Sequence, residues 1–283
     1  MKVGLVLEGG AMRGLYTSGV LDVFMENNIK VNTIIGVSAG ALFGVNYKSN
    51  QIGRALRYNK KYANYRNYMG LYSLITTGNI MNKDFCFNEL IYKLDKFEFS
   101  DFKSSPVDFY ATVTNVRTGM PEYIKIDDLE DKIEYLRASG SIPLLSRIVE
   151  INGEKYLDGG ISDSIPVEKI KCFDCDKIIV VLTRPSNYRK NKPNMFAYKC
   201  VYGKYPNLIN TIQNRYIHYN NTLQDIERQE KENKIFVIRP TRNTGIKRIE
   251  KDVAKIEEMY NLGVSDAKQK LEELKKYLDM PCV

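Results

Sequence analysis

Two short apolar runs near the start of the chain each end in a turn of small residues, and a helical pattern follows each turn. The first run, Val3–Leu7, ends at Gly9-Gly10, and the second, Thr33–Val37, ends at a serine flanked by glycines. Residues 14–26 between them carry apolar side chains at helical spacing. Alternating buried strands and helices favour α/β layering over separate all-α or all-β domains.

The rest of the chain continues this alternation. The patterns predict further strands and helices, and the last two helices each show one apolar stripe. Such a stripe fits packing on the helix's own domain or, for the final helix, a coiled-coil dimer; the first is the commoner outcome. The predicted strands are 107–116, a hairpin of 147–151 with 155–157 around Asn152-Gly153, 177–182 and 235–238; the predicted helices are 129–139, 206–231 and 249–278.

We expect two parts in the 283-residue chain, a core over residues 1–185 and an extension over 186–283. The extension should be mostly helical with one strand, and it should pack on the core. Pro185–Pro206 separates the two parts, and its composition predicts a long mobile loop. No stretch approaches the roughly 18 apolar residues that a membrane-spanning helix needs.

The second turn has the sequence Gly36-Val37-Ser38-Ala39-Gly40, a G-x-S-x-G pattern between a strand and a helix. A nucleophilic serine must stand exposed on a sharp, strained turn, and small residues on both sides let strand and helix pack closely around it. The following helix directs backbone N–H groups and its positive dipole end at the reacting centre. A tight structural turn is the alternative, but this context favours a nucleophile at Ser38.

The first turn, Glu8–Gly14, also joins a strand to a helix and can bind an anion through successive backbone N–H groups. One use is an oxyanion hole beside the serine. The alternative is dinucleotide binding, which needs G-x-G-x-x-G and an acidic residue after the second strand. Here Ala11 occupies the middle glycine position and Ser38 follows the second strand, so nucleotide binding is disfavoured.

Two further residue types bear on acid-base chemistry. Asp158-Gly159-Gly160 follows the hairpin, and it can either present a carboxylate in a crowded site or form an ordinary turn. Serine hydrolases usually place a histidine between serine and acid. The single histidine, His218, lies about 200° from the apolar stripe of its helix, on the solvent side. A carboxylate base is therefore favoured over a His-containing α/β-hydrolase esterase.

The five cysteines predict free thiols in a reducing cytosol. Cys172 and Cys175 have C-x-x-C spacing, but no second pair or nearby histidine completes a zinc set, so no metal is expected. The pair could be redox-active, and an incidental pair of thiols is the favoured interpretation.

Taken together, the motifs resemble those of the patatin-like phospholipase family over roughly residues 1–185. The ordered set is specific, although each motif alone is modest. The family loop usually has a third glycine where this chain has Ala11, which keeps the backbone N–H but restricts positive φ. The matching segments are Gly9–Gly14 (Gly-Gly-x-x-Arg-Gly), Gly36–Gly40, Arg137–Pro143 and Asp158–Gly160.

The resemblance implies a three-layer α/β/α sandwich with a mainly parallel central sheet and, in this chain, C-terminal helices. It implies a serine acyl-ester hydrolase of the phospholipase A or lysophospholipase type, working through an acyl-enzyme without metal or other cofactor. Ser38 is then the nucleophile and Asp158 the base. The N–H groups of Gly10 and Ala11, helped by Gly9, form the oxyanion hole. The supporting residues are Arg13, which braces the loop, and Gly14, Gly36, Gly40, Gly159 and Gly160.

Charge is unevenly distributed in this chain of net charge +8. Residues 27–83 and 177–224 contain no Asp or Glu, and each carries eight basic residues. An acid-free basic segment favours an anionic partner, with a solvated basic surface as the alternative. No nucleic-acid motif accompanies the charge, so a membrane surface ranks above nucleic acid.

The segment after the serine is typical of an interface with lipid, because basic and tyrosyl side chains suit the headgroup level of a bilayer. We therefore expect a cytoplasmic hydrolase with a lipid or phospholipid substrate and peripheral contact with the inner membrane face. A catalytically weak scaffold that binds anionic lipid is the alternative function. The segment contains Arg54, Arg57, Lys60, Lys61 and Arg66, interleaved with Tyr58, Tyr62, Tyr65, Tyr68 and Tyr72, and then Leu71, Leu74 and Ile75.

Overall fold

A sheet of eight strands lies at the centre of the computed structural model, which describes residues 1–280. The last three positions, among them Cys282 and the end of the predicted extension, lie outside the described residues. The strands are β1 (Val3–Leu7), β2 (Thr33–Val37), β3 (Asp108–Asn115), β4 (Pro121–Lys125), β5 (Val149–Ile151), β6 (Glu154–Asp158), β7 (Lys177–Val181) and β8 (Phe236–Ile238).

The helices follow the strands closely in sequence. They are α1 (Gly14–Glu26), α2 (Ala39–Lys48), α3 (Arg54–Tyr62), α4 (Leu71–Thr77), α5 (Phe99–Ser104), α6 (Leu129–Ser139), α7 (Val167–Lys171), α8 (Phe196–Tyr202), α9 (Pro206–Lys231), α10 (Val253–Gln269) and α11 (Leu271–Asp279). A π-helical segment, Phe85–Leu94, lies between α4 and α5.

Five strands in the order β3-β2-β1-β7-β8 are parallel. The other three strands are antiparallel to their neighbours: β4 and β6 pair with β3, and β5 pairs with β6. The side chains of β1 alternate between the two faces: Leu5 and Leu7 enter one core cluster and Val6 the other. Helices cover both faces, so the expected α/β/α sandwich with a mainly parallel sheet is confirmed.

The C-terminal part completes the same layers. Strand β8 extends the sheet, α9 covers the Val6 face through Leu223 and Ile226, and α10 packs on α1. Gly19 of α1 and Gly263 of α10 permit this crossing, because a Cβ on either would lie 2.3 or 2.1 Å from a backbone oxygen of the other helix. The last long helices therefore bury their stripes within their own chain. The division at residue 185 stays a prediction.

Two expected elements differ from the structure. The helix expected over 249–278 is two helices, α10 and α11, separated at Lys270, whose ammonium donates to the Val237 carbonyl at 3.3 Å. The turn there directs Tyr277 to β7, where its hydroxyl accepts from the Ile178 N–H at 3.1 Å.

The segment expected to be a long loop, Pro185–Pro206, contains the helix α8. Tyr202 of that helix is buried in a cluster with Leu208 and Ile212 of α9. The loop before α8 is tied to α9 as well, because the N–H of Lys190 donates to the Asn220 side chain at 2.8 Å. Among residues 1–280, no helix is long and apolar enough to cross a membrane.

Candidate active site

The edge of β3 brings together two chain segments that lie 120 residues apart. Strand β2 pairs with β3 up to Val37 opposite Thr112, and β6 pairs with β3 from Asp158 opposite Val113. Because β4 occupies the other edge of β3, the carboxyl ends of β2 and β6 meet head to head along one edge. The residues at these ends are Ser38 and Asp158.

Ser38 stands on a strained turn between β2 and α2. Its φ of 52° and ψ of −120° lie outside the regions that non-glycine residues favour, at a cost of about 1–3 kcal/mol. Its backbone N–H donates to the Ser139 hydroxyl at 2.9 Å, which fixes the turn from the neighbouring α6. The strained strand-turn-helix geometry is the one that the G-x-S-x-G pattern predicts.

The Ser38 hydroxyl donates directly to Asp158, with 2.6 Å between Oγ and Oδ2. The other carboxylate oxygen accepts from the Gly160 N–H at 2.8 Å. Burial raises the pKa of Asp158 above its usual value, although the Ser38 hydrogen bond and the Arg215 charge act in the opposite direction. A buried carboxylate with a raised pKa is a stronger base toward the serine proton.

The end of α6 and the residues just after it hold both members of this pair. Ser139 accepts from the Ser38 N–H, and the Ser141 carbonyl accepts from the Asp158 N–H at 2.9 Å. The Ser141 hydroxyl in turn donates to the Arg137 carbonyl at 2.9 Å. The sequence analysis singled out 137–143 only as a resemblance, because no local pattern shows that Ser139 will contact Ser38 and that Ser141 will contact Asp158.

The glycine loop after β1 lies against the serine. A Cβ on Gly9 would lie 3.0 Å from both the Cβ of Ser38 and the Val37 carbonyl oxygen, so a larger residue would have to displace these neighbours. No described residue accepts a hydrogen bond from the backbone N–H of Gly9, Gly10 or Ala11. Ala11 adopts φ of 50°, so alanine does reach the left-handed conformation, at roughly 1 kcal/mol of strain. These N–H groups are available to an anion.

The other predicted supporting glycines mark close packing around the same turns. A Cβ on any of them would lie within 3.0 Å of another atom. The neighbours are Thr183 for Gly10, Ala39 for Gly14, Ala41 for Gly36, Leu7 for Gly40, Thr112 for Gly159 and both Arg215 and Asp158 for Gly160.

Arg13 and Glu8 flank the loop. The Arg13 guanidinium makes no hydrogen bond with any other residue in 1–280, and its Nε is buried without a partner, so the predicted bracing role has no contact to carry it. Glu8, which the sequence analysis did not single out, is buried and accepts from Thr183 N–H at 2.6 Å and from the Tyr219 hydroxyl at 2.7 Å. Glu8 thereby ties the end of β1 to β7 and α9.

Two cavities of opposite character meet at Ser38. The apolar cavity has a volume of about 120 Å³ and lies beneath α2, with Leu42, Phe43 and Leu136 among its walls. The basic cavity has a volume of about 400 Å³ and lies over the glycine loop and Asp158. The cations in its wall are Arg13, Arg184, Lys190, Arg215 and Arg248.

His218 lies on the exposed face of α9, as its helical phase predicts. In the described part of the chain, the hydrogen bonds of Ser38 and Asp158 include none with a histidine. No cluster of three or more His, Cys, Asp or Glu that could hold a metal ion occurs within residues 1–280. The four described cysteines are free, with Cys86 buried and Cys172 and Cys200 exposed.

The basic segment after Ser38 is only partly available to a partner. Arg54 and Arg57 both pair with Asp95, and Lys60 pairs with Glu257 at 2.6 Å. Of the tyrosines, Tyr58 and Tyr68 are buried in the core, in edge-to-face contact with each other. In the described chain, Lys61 and Arg66 have no carboxylate partner and lie over the rings of Tyr62 and Tyr72.

Comparison with known proteins adds family relationships to this geometry. A family model described as "Patatin-like phospholipase" matches residues 5–170, more than half of the chain. A second model, described as "Domain of unknown function (DUF6363)", matches residues 205–279. Ser38, Asp158 and the glycine loop all lie within the first match.

Among curated proteins, the "Uncharacterized protein YjjU" of Escherichia coli (strain K12) is 28% identical over 93% of this chain and 75% of its own length. "Lysophospholipase NTE1" of Scheffersomyces stipitis is 26% identical over 99% of this chain, which spans only 18% of that protein. The crystal structure of VipD from Legionella pneumophila is similar with a TM-score of 0.48 and 14% identity, over 96% of this chain and 67% of that one.

Proposed function

Because the chain belongs to the patatin-like phospholipase family, we propose that it is a serine hydrolase of lipid acyl esters, of the phospholipase A or lysophospholipase type. The observation that carries the proposal is the direct hydrogen bond between Ser38 Oγ and Asp158 Oδ2 on the strained turn. The names of the fungal relatives support lysophospholipase activity. The chain spans less than a fifth of those proteins, so their activity enters only as support.

The proposed reaction needs only these residues and water. Asp158 accepts the Ser38 proton while Oγ attacks the ester carbonyl carbon, and the new oxyanion accepts from the N–H groups of Gly9, Gly10 and Ala11. The intermediate expels the alcohol, which takes the proton from Asp158 and leaves an acyl-serine. A water molecule then attacks the acyl carbon and gives a proton to Asp158. Collapse of this second intermediate breaks the bond to Oγ, which takes the proton back from Asp158, and the fatty acid leaves with Ser38 and ionised Asp158 restored.

The apolar cavity supplies a place for the acyl chain. It opens beside Ser38 and is walled by side chains of α2, α6 and the π-helical segment, including Leu42, Leu90 and Leu136. Burying an acyl chain there is favourable by about 0.8 kcal/mol for each methylene removed from water. Such a pocket predicts a preference for medium or long chains over acetate esters.

Labelling by a fluorophosphonate probe tests this proposal together with turnover of medium-chain p-nitrophenyl esters. We expect wild-type protein to be labelled and active, and Ser38→Ala to lose both labelling and activity. Asp158→Asn should lower activity by at least about a thousand-fold, because it removes the base. Ser104→Ala, at an exposed serine, is the matched control. Unchanged turnover in folded Ser38→Ala would overturn the proposal, and vesicle binding without labelling would favour the scaffold.

We further propose that a small surface patch around α4 contacts the cytoplasmic face of a membrane. Leu71 and Ile75 of this helix are 69% and 75% exposed, and the cations Lys61 and Arg66 lie in the chain just before it. Met69 and Ile80, on either side of α4, line the apolar cavity, so the patch lies beside the route of an acyl chain. Exposed apolar side chains with unpaired cations suit an anionic bilayer surface.

Vesicle binding tests the patch. Reversing Lys61 and Arg66 to Glu should weaken binding to phosphatidylglycerol vesicles, with little loss on a soluble ester. Lys231→Glu with Lys268→Glu, at exposed positions late in α9 and α10, gives the same change in net charge as a control. Equal binding by both double variants would show that this patch is not the docking face.

A further inference from the structure

The basic cavity holds more positive charge than its own carboxylates can balance. Three of its five cations, Arg184, Lys190 and Arg215, come from the acid-free segment 177–224. The other two, Arg13 and Arg248, come from loops joined by a hydrogen bond from the Met12 N–H to the Arg248 carbonyl at 3.3 Å.

The two carboxylates in the wall already have other partners. Glu8 accepts from Thr183 and from the Tyr219 hydroxyl. Asp158 accepts from Ser38 and from the Gly160 N–H. Neither forms an ion pair with a cation of the cavity, so the positive charge of the cavity is available to a bound anion.

The cations themselves lack anionic partners. Within the described residues none of the five lies in an ion pair, and the Nε atoms of Arg13 and Arg215 are buried without any hydrogen-bond partner. Lys190 has only the Ser164 hydroxyl at 3.5 Å and the face of Tyr219, while Arg184 lies over the ring of Tyr188. Leaving buried donors unpaired is costly, and a bound anion would relieve that cost.

The pKa shifts in the cavity agree with this picture. Burial, and then the neighbouring charge of Arg184, lower the pKa of Arg13 to about 10. Burial and the charge of Arg215 hold the pKa of Lys190 well below its usual range. In each case burial is the largest cause, and nearby Glu8, which acts in the opposite direction, does not offset burial and the neighbouring positive charge.

We propose that the basic cavity binds the phosphate of a lipid headgroup, so that the enzyme prefers substrates whose headgroup carries net negative charge. Guanidinium groups match phosphate oxygens in geometry and charge, and a cavity of about 400 Å³ has the size of a small-molecule site. A zwitterionic choline headgroup would place its quaternary ammonium group beside the five cations of the cavity. Both carboxylates in the described wall already have hydrogen-bond partners, so neither is free to pair with that group.

This inference rests on the proposed hydrolase function and adds a substrate class to it. Ser38 lies where the two cavities meet, so an acyl chain in the apolar cavity and a phosphate in the basic one leave the ester between them, at the serine. The arrangement therefore predicts that an anionic lysophospholipid or phospholipid binds with its acyl chain in the apolar cavity and its phosphate in the basic cavity at the same time.

Specificity toward matched lysolipids is the first test. We expect wild-type kcat/KM to be higher for lysophosphatidylglycerol than for lysophosphatidylcholine of the same chain. Arg248→Gln should reduce kcat/KM for the anionic substrate about ten-fold more than for a monoacylglycerol, since it removes a charged donor to phosphate. Arg228→Gln, on the exposed face of α9, is the matched control. Arg184→Gln serves as a second variant if Arg248→Gln fails to fold.

Equal losses on the anionic and neutral substrates in both variants would overturn the proposal, as would a wild-type preference for choline. Titration calorimetry with the Ser38→Ala variant measures phosphate binding without any turnover. It therefore tests the headgroup site separately from the proposed hydrolase activity. Glycerol 3-phosphate should bind and glycerol should not, and Arg248→Gln should weaken that binding about ten-fold. Absence of phosphate binding would also overturn it. Binding of inorganic phosphate, with equal hydrolysis of charged and neutral lysolipids, would show a free-phosphate site instead.

Discussion

The apolar and basic cavities share Ser38 but are built from different parts of the chain. Nearly all of the apolar wall comes from within residues 5–170, the segment that the patatin-like phospholipase model matches. Four of the five cations of the basic cavity, Arg184, Lys190, Arg215 and Arg248, lie beyond that segment. Under the proposed function, catalysis and acyl binding would therefore belong to the family core, and headgroup binding would be supplied mainly by the C-terminal part.

Filling the apolar cavity should have the largest effect on substrate choice. Leu42 lies one turn beyond Ser38 in α2 and lines that cavity. Leu42→Phe should lower the ratio of kcat/KM for a dodecanoyl ester to that for an acetyl ester by about ten-fold or more, because the ring occupies the path of the chain. Leu42→Met, of similar volume, is the control. An unchanged ratio would show that the acyl chain lies elsewhere.

Removing a positive charge from the basic cavity should shift the pH dependence of kcat/KM rather than the preference for acyl-chain length. In the proposed mechanism Asp158 accepts the serine proton only when ionised, so kcat/KM should fall as the pH drops through its raised pKa. The Arg215 charge lowers that pKa, so Arg215→Gln should shift the acidic limb to higher pH. Arg248→Gln, whose charge is not among the main influences on Asp158, should leave the limb in place. Movement to lower pH in Arg215→Gln would contradict this assignment.

The smallest effect should come from a residue outside both cavities. His218 is exposed on α9, so His218→Ala should keep kcat/KM within about three-fold of wild type, as is usual for surface changes. Ester turnover measured beside a thermal melt checks this. A loss of a hundred-fold in folded protein would mean that a histidine takes part after all.

The sequence was most informative where one short segment carries the whole signal. The strands that precede Ser38 and Asp158, and the turn residues themselves, form local patterns, and in the structure both side chains lie at one site. The supporting roles of Ser139 and Ser141 depend on how a distant segment docks, which no spacing encodes. Helix α8 was missed because it is only seven residues long and is flanked by loop-forming residues such as Pro193, Asn194 and Pro206.

The two acid-free segments also show that sequence alone does not predict which charges are paired in the folded chain. Both carry eight basic residues, and their sequences do not distinguish them. In the first, Arg54, Arg57 and Lys60 pair with acids from elsewhere in the chain. In the second, Lys190 and Arg215 enter the cavity without such partners within residues 1–280. Composition predicts the sign of the charge, but long-range packing decides which cations stay unpaired.

The head-to-head meeting of β2 and β6 on β3 also bears on the order of folding. The hairpin β5–β6 turns at Asn152-Gly153 and can form locally within microseconds. Its pairing with β3 joins residues 44 apart, Thr114 and Asp158, and the approach of Asp158 to Ser38 spans 120 residues, so both are entropically slower steps than the local hairpin. The turn at Ser38 and the glycine loop can therefore form before Asp158 reaches them. If the proposed function holds, a refolding chain should regain ester hydrolysis only when the β5–β6 hairpin docks on β3.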